Sequence, residues 1–121
     1  MNSKYSIEIK ESYLYFTVSG EYNFTDFMNY LKIVKHECEK AKIYRVIFDA
    51  LNVTKTDISV MDRYFLGEKI AKIMRSKIKL AVVWPEKDIS KFAETVALNR
   101  GGNIYVIGEI ESAIEWILGD N

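Results

Sequence analysis

The sequence predicts an α/β fold: a β-hairpin, then three further strands alternating with four helices, in the order β-β-α-β-α-β-α-β-α. Three observations carry this reading. Two stretches of alternating polarity open the chain, short apolar runs recur after them, and a segment with helical spacing of apolar residues follows each run. Strand and helix in alternation imply a mostly parallel sheet with right-handed crossovers and covering helices.

Tyr5, Ile7 and Ile9 alternate with polar residues, and Tyr13, Tyr15 and Thr17 with their neighbours continue the pattern after Glu11 and Ser12. Such a pair around a polar break reads as a hairpin, ended by Gly20. Asn23 is suited to cap a helix, and Asp26 falls in its positive first turn. Phe27, Tyr30, Leu31, Val34, Cys38 and Ala41 then share one side of the helical wheel, with His36 on the other. Arg45-Val46-Ile47-Phe48 reads as a buried strand closing at Asp49, and a polar connection runs from Asn52 to Asp57. Ser59 followed by Asp62 resembles a capping box. Leu66, Ile70, Ile73 and Met74 form the stripe of the second helix, joined near its start by Met61 and Phe65.

Leu80-Ala81-Val82-Val83-Trp84 is the next strand, stopped by Pro85. Asp88 or Ser90 starts a helix with Ile89, Phe92, Ala93 and Val96 inward. Arg100-Gly101-Gly102 ends it, since glycine favours the left-handed turn after a helix. Ile104 to Ile107 is the last strand, and Ile110, Ala113, Ile114 and Ile117 define the last helix, with Trp116 beside them. The 121 residues suit one domain spanning 1–121, with no linker or repeat inside it.

The bulk chemistry excludes several classes. Seventeen basic and seventeen acidic side chains cancel, so no global field attracts nucleic acid. Lys69, Lys72, Arg75, Lys77 and Lys79 lie close together and read as a solvated helix face and its exit. No apolar run approaches the ~20 residues that cross a bilayer, and the first ten residues lack the apolar core of a signal peptide. With one cysteine, Cys38, an intrachain disulfide cannot form, which accords with a reducing cytoplasm. The expectation is a soluble cytoplasmic protein.

Ligands of open α/β sheets bind beyond the carboxyl ends of the strands. In this sequence that edge gathers Asp49, Asn52, Thr54, Asp62, Arg63, Trp84, Pro85, Glu86 and Arg100. Asp49, at the mouth of an apolar strand, could bind a hydroxyl, a cation or a basic side chain, or could hydrogen-bond the amides of the next turn. Asp62 reads as a capping residue, Arg63 has no evident structural duty, and Arg100 could bond the carbonyls that end its helix.

Catalytic and cofactor motifs are missing. His36 and Cys38 lie about half a turn apart on their helix and cannot readily share a metal. No P-loop exists, no GxGxxG follows a strand, and Gly101-Gly102 follows a helix rather than opening one. A binding protein without cofactor or metal is expected, not an enzyme.

Val46-Ile47-Phe48-Asp49, followed by Ile58-Ser59-Val60-Met61-Asp62-Arg63-Tyr64-Phe65-Leu66-Gly67, resembles the STAS family, named for sulfate transporters and anti-sigma factor antagonists. Its members share the hairpin-first order. Their third strand leads into a turn reading apolar-Ser-x-Met/Leu-Asp, two hydroxyl residues, Gly, Leu and Gly. Ser59, Met61, Asp62, Leu66 and Gly67 match this pattern. Arg63 and Tyr64 stand in place of the hydroxyl residues, and Phe65 replaces the first glycine. In the antagonists a partner kinase phosphorylates the second hydroxyl residue and so switches partner binding. The resemblance therefore implies a single STAS-like domain that binds a protein partner (a regulator or a second copy) without the serine/threonine phosphoswitch.

Phe48-Asp49-Ala50, Asn99-Arg100-Gly101-Gly102 and Ala113 with Trp116 resemble short freestanding STAS-like prokaryotic proteins, sometimes grouped with lipid-binding Sec14-like domains. A second reading, a small-molecule or lipid-binding module that takes a small apolar ligand, rests on the plentiful aromatic residues, of which Trp84, Tyr64 and Phe65 could line an apolar cleft at the strand ends. The binding residues expected are Asp49, Thr54, Ser59, Asp62, Arg63, Tyr64, Trp84 and Arg100, with Arg63 and Tyr64 exposed for docking.

Overall fold

A computed structural model describes residues 3–75 and 77–119. It contains β1 (Ser3–Ile9), β2 (Leu14–Glu21), α1 (Phe24–Ala41), β3 (Arg45–Thr54), α2 (Val60–Met74), β4 (Lys79–Val83), α3 (Phe92–Asn99), β5 (Asn103–Ile107) and α4 (Ile110–Ile117). The element order is the expected one. The five strands lie in the sheet in chain order, with β1 antiparallel to β2 and every later pair parallel.

This sequential order decides where the helices go. Each crossover steps to the next strand in the same direction, so right-handed connections place α1, α2 and α3 on one face. The main core forms there, from Phe16, Val46, Phe48 and Leu80 of the sheet against Phe27, Val34 and Cys38 of α1 and Ile70 and Met74 of α2. The other face would stay bare without α4, whose Ala113 and Ile117 cover Ile47, Ala81 and Val83.

Local chemistry places the elements. Asn23 caps α1 by accepting the Asp26 N–H at 2.9 Å. Ser59 caps α2 in the same way, its Oγ accepting the Asp62 N–H at 3.0 Å. Gly101, at φ 89°, supplies the left-handed turn after α3, and the Gly102 N–H closes on the Ala97 carbonyl at 2.8 Å.

Several expectations are corrected. β2 turns Leu14, Phe16 and Val18 into the main core, while Tyr13 and Tyr15 pack on the α4 face. β3 does not close at Asp49 but continues to Thr54, past a bulge that sets Thr17 opposite Asp49 and Ser19 opposite Asn52. The extra residue breaks the alternation expected of a strand. A short 3₁₀ turn, Glu86–Asp88, precedes α3, which begins at Phe92 and leaves that ring exposed. Met61 and Phe65 face outward from α2, not into its buried stripe. The basic cluster also divides: Lys79 is buried beneath α4, donating to the Trp116 and Gly119 carbonyls, while Lys77 lies over the Tyr44 ring.

Candidate functional site

Three neighbourhoods hold the residues expected to act. The first is the start of α2. Val60, Met61 and Phe65 are 65%, 59% and 41% exposed, and their spacing sets them on one side of the helix. Val60 and Met61 stand mostly in water, and Phe65, packed edge-on against Phe24 and Tyr64, leaves part of its ring exposed beside them, so the three make an apolar patch on two adjacent turns. A groove beside Phe65 continues along the helix and is bordered by Lys69, Lys72 and Arg75 and by the paired Glu68 and Arg100.

Arg63 and Tyr64 are half-buried and engaged within the chain, which corrects the expectation that the pair stands free. Arg63 Nε donates to the Ile58 carbonyl at 3.2 Å. The Tyr64 hydroxyl donates to Glu68 at 3.1 Å and accepts from Arg100 Nη2 at 3.2 Å. Arg100 also pairs with Glu68 at 3.5 Å, so its guanidinium serves Tyr64 and Glu68 rather than the carbonyls ending its own helix.

The second neighbourhood is an apolar cavity of about 80 Å³ between the sheet and α1, α2 and α3. Phe48, Val82, Trp84, Leu66 and Ile104 wall it, and Arg63, Lys91 and Glu94 stand at its polar margin. Trp84 is the expected residue that lines it; Tyr64 and Phe65 do not. The Trp84 indole N–H is satisfied by the Thr56 carbonyl at 3.3 Å, leaving the ring as an apolar wall.

The third is the surroundings of Asp49, apart from the other two. Asp49 lies within β3, 7% exposed, on the face that α4 covers. There it accepts the Tyr15 hydroxyl at 2.6 Å and the Leu51 N–H at 3.0 Å. Burial, followed by the bond to Asp49 and its charge, pushes Tyr15 ionisation well above the ordinary tyrosine range, so Tyr15 remains a neutral donor. This is a satisfied internal pair, and Asp49 is not at the strand mouth.

Asp62 does double duty. Its N–H is capped by Ser59, and its carboxylate accepts the Tyr22 hydroxyl at 2.9 Å, tying the connection after β2 to α2. Burial first, then that bond, raises the Tyr22 ionisation, with Arg63 acting in the opposite sense. Thr54 ends β3, exposed, its carbonyl accepting the Tyr22 N–H at 2.9 Å. The structure therefore brings Asp62, Arg63, Thr54 and Trp84 together around Tyr22, with Ser59 joined to them through Asp62, and groups Tyr64 with Arg100. It separates Asp49 from all of them. Sequence reasoning missed Tyr22, Lys91 and Glu94. Tyr22 lies 40 residues from Asp62, and Lys91 follows a turn that reads as helix, so no local pattern marks either.

Among the described residues, no helix is long and apolar enough to cross a membrane, and no group of three or more His, Cys, Asp or Glu could hold a metal ion.

No protein-family model matches the chain, and no curated protein matches it significantly. Solved structures do. An anti-sigma factor antagonist from Mycobacterium paratuberculosis superposes with a TM-score of 0.66 at 12% identity, over 97% of this chain and 95% of that one. An uncharacterized protein of the DUF3478 family with a SpoIIAA-like fold, from Shewanella loihica, gives 0.51 at 19% identity, over 96% and 93%. At such identities the likeness is one of fold. The chain is a single α/β domain of SpoIIAA-like fold, the architecture also seen in the mycobacterial anti-sigma factor antagonist.

Proposed function

We propose that the chain is a non-catalytic, regulatory protein-interaction domain that docks its partner on the outer side of α2. The observation that carries this reading is the exposure of Val60, Met61 and Phe65 on one side of that helix. An apolar patch with a polar margin is the usual form of a docking surface. The basic border of the neighbouring groove suits a partner with an acidic surface. The fold shared with an anti-sigma factor antagonist supports a protein as the partner. Tyr64 is held by Glu68 and Arg100 and carries no serine or threonine hydroxyl, which supports a docking face without that phosphoswitch. In this reading the chain works in the cytoplasm, where its single thiol stays reduced.

A second reading, a small apolar ligand, is favoured by the cavity beside Trp84, whose walls are apolar and whose margin carries Arg63 and Lys91; at about 80 Å³ it falls well short of the ~300–1,000 Å³ of drug-sized sites and admits only a small ligand. One preparation separates the two. Tagged wild type is expected to retain a protein partner from cell extract, and a Met61→Ser/Phe65→Ser variant to lose it while keeping its fold. Identical partner lists from the two proteins would sink the docking face. A small ligand mass retained by purified wild type in native mass spectrometry, with no protein partner, would transfer the function to the cavity.

A further inference from the structure

β5 is the last strand of the sheet, so one side of it has no strand beside it. The two backbone groups of a strand residue point the same way, and successive residues alternate between sides. Ile107 turns its carbonyl toward β4, accepting the Trp84 N–H at 3.0 Å, and Val106 therefore turns both its groups outward. Two side chains meet them. The Val106 N–H donates to the Glu94 carboxylate at 2.6 Å, and the Val106 carbonyl accepts from Lys91 Nζ.

Lys91 and Glu94 are also paired with each other at 3.3 Å, and the Lys91 ammonium lies 5.1 Å from the centre of the Tyr105 ring. An exposed ion pair alone stabilises little. Here both members also hold backbone groups, and the Glu94 side chain is only 14% exposed. Glu94 reaches the strand from the first turn of α3, and Lys91 from the left-handed residue before it, at φ 64°. Together they give Val106 one acceptor and one donor, which is what a neighbouring strand would give it.

The edge so covered carries the signature of one that proteins guard. Asn103-Ile104-Tyr105-Val106-Ile107 has no charge, no proline and three β-branched residues. We infer that β5 is a strand-pairing edge for a second copy of this chain, and that the Lys91–Glu94 strap keeps it closed. The occupant follows from the groups exposed. Because Val106 presents donor and acceptor together, two antiparallel β5 strands about a two-fold axis would set Val106 opposite Val106 and exchange the two bonds the strap now makes. A net charge of zero leaves no long-range repulsion between copies.

The test is molecular mass by light scattering across a concentration series. A Lys91→Ala/Glu94→Ala variant is expected to shift from the wild-type mass to dimers or larger species. Adding Val106→Pro should return it to the wild-type mass, since proline cannot donate across the new edge and β4 makes no use of that N–H. Glu94→Gln, which keeps an acceptor for Val106, should stay at the wild-type mass. A double variant that does not associate, or that associates equally with Val106→Pro, overturns the inference. Where the double variant fails to fold, Glu94→Ala alone, which frees the Val106 N–H, is expected to show the same shift in mass, and its absence overturns the inference; amide exchange in the wild type tests the strap itself. The Val106 amide is expected to exchange slowly in protein of monomer mass, and unprotected exchange, or a wild type already paired through β5, overturns it.

Discussion

Cys38 sits in the α1 stripe with no exposed surface, and its environment acts on its chemistry. Burial, followed by the charges of Glu39 and Glu37, pushes the thiol from its ordinary 9.0 up to about 12. The thiolate is the reactive form, so the residue is inert while the chain is folded. A raised folded-state value also has a fixed sign in stability. Below pH 9.0 folded and unfolded chains both hold the proton and the contribution is fully present. Between pH 9.0 and about 12 the unfolded chain releases it first, and stability falls. Tyr15 and Tyr22, displaced in the same direction, add to the loss at high pH. Urea titrations at several pH values should show the wild type losing more stability across this window than Cys38→Ala does. Parallel curves would mean the thiol contributes nothing. The burial of Cys38 was legible from its place on the helical wheel. The pairing of Tyr15 with Asp49 was not, because it depends on two strands lying side by side, 34 residues apart in the chain.

At the scale of elements, α2 and α3 meet through a glycine. A Cβ built on Gly67 would stand 2.5 Å from the Ala93 carbonyl oxygen and 3.0 Å from the Val96 Cβ. Alanine at that position would gain about 1 kcal/mol in helix propensity. It would also force the two helices apart, and overpacking of that kind costs about 1–3 kcal/mol, more where backbone is the obstacle. Gly67→Ala is therefore expected to lower the melting temperature, and an unchanged or raised value would show that α3 moves freely. Helices α1 and α4 could be read from their periodicity, since each has one buried side and one wet side. β3 was legible only in its first half. Its bulge places Ala50 and Val53 inside with Leu51 and Asn52 outside, a pattern that no longer alternates and so reads as a loop. Met61 and Phe65 misled for a different reason. Apolar residues at helical spacing normally mark the inward side, and here an exposed patch carries the same composition on the outward one. Composition cannot tell them apart, whereas exposure can.

At the scale of the molecule, one sheet separates two apolar layers, and each contains a tryptophan. Trp84 belongs to the main core, and Trp116 packs against the smaller layer under α4. The strands are common to both layers, so neither can melt without exposing the back of the other. A single cooperative transition is expected. Trp84→Phe and Trp116→Phe leave one reporter each, and the remaining fluorescence in either variant should give a midpoint coincident with that variant's own circular dichroism. Separate midpoints would mean that α4 detaches on its own. The attachment of α4 is instructive here, since its carbonyl end rests on two cations from the starts of β3 and β4. Arg45 donates to the Ile117 carbonyl at 2.8 Å, and Lys79 donates to the Trp116 carbonyl at 2.7 Å. Both cations leave the ribosome well before the helix they hold, as do Ile47, Ala81 and Val83. During synthesis, at about 5–20 residues per second, the back of the sheet is thus an uncovered apolar strip for a matter of seconds. In that interval the nascent chain is open to chaperones and to other nascent chains, and the arrival of α4 on its waiting cations closes it.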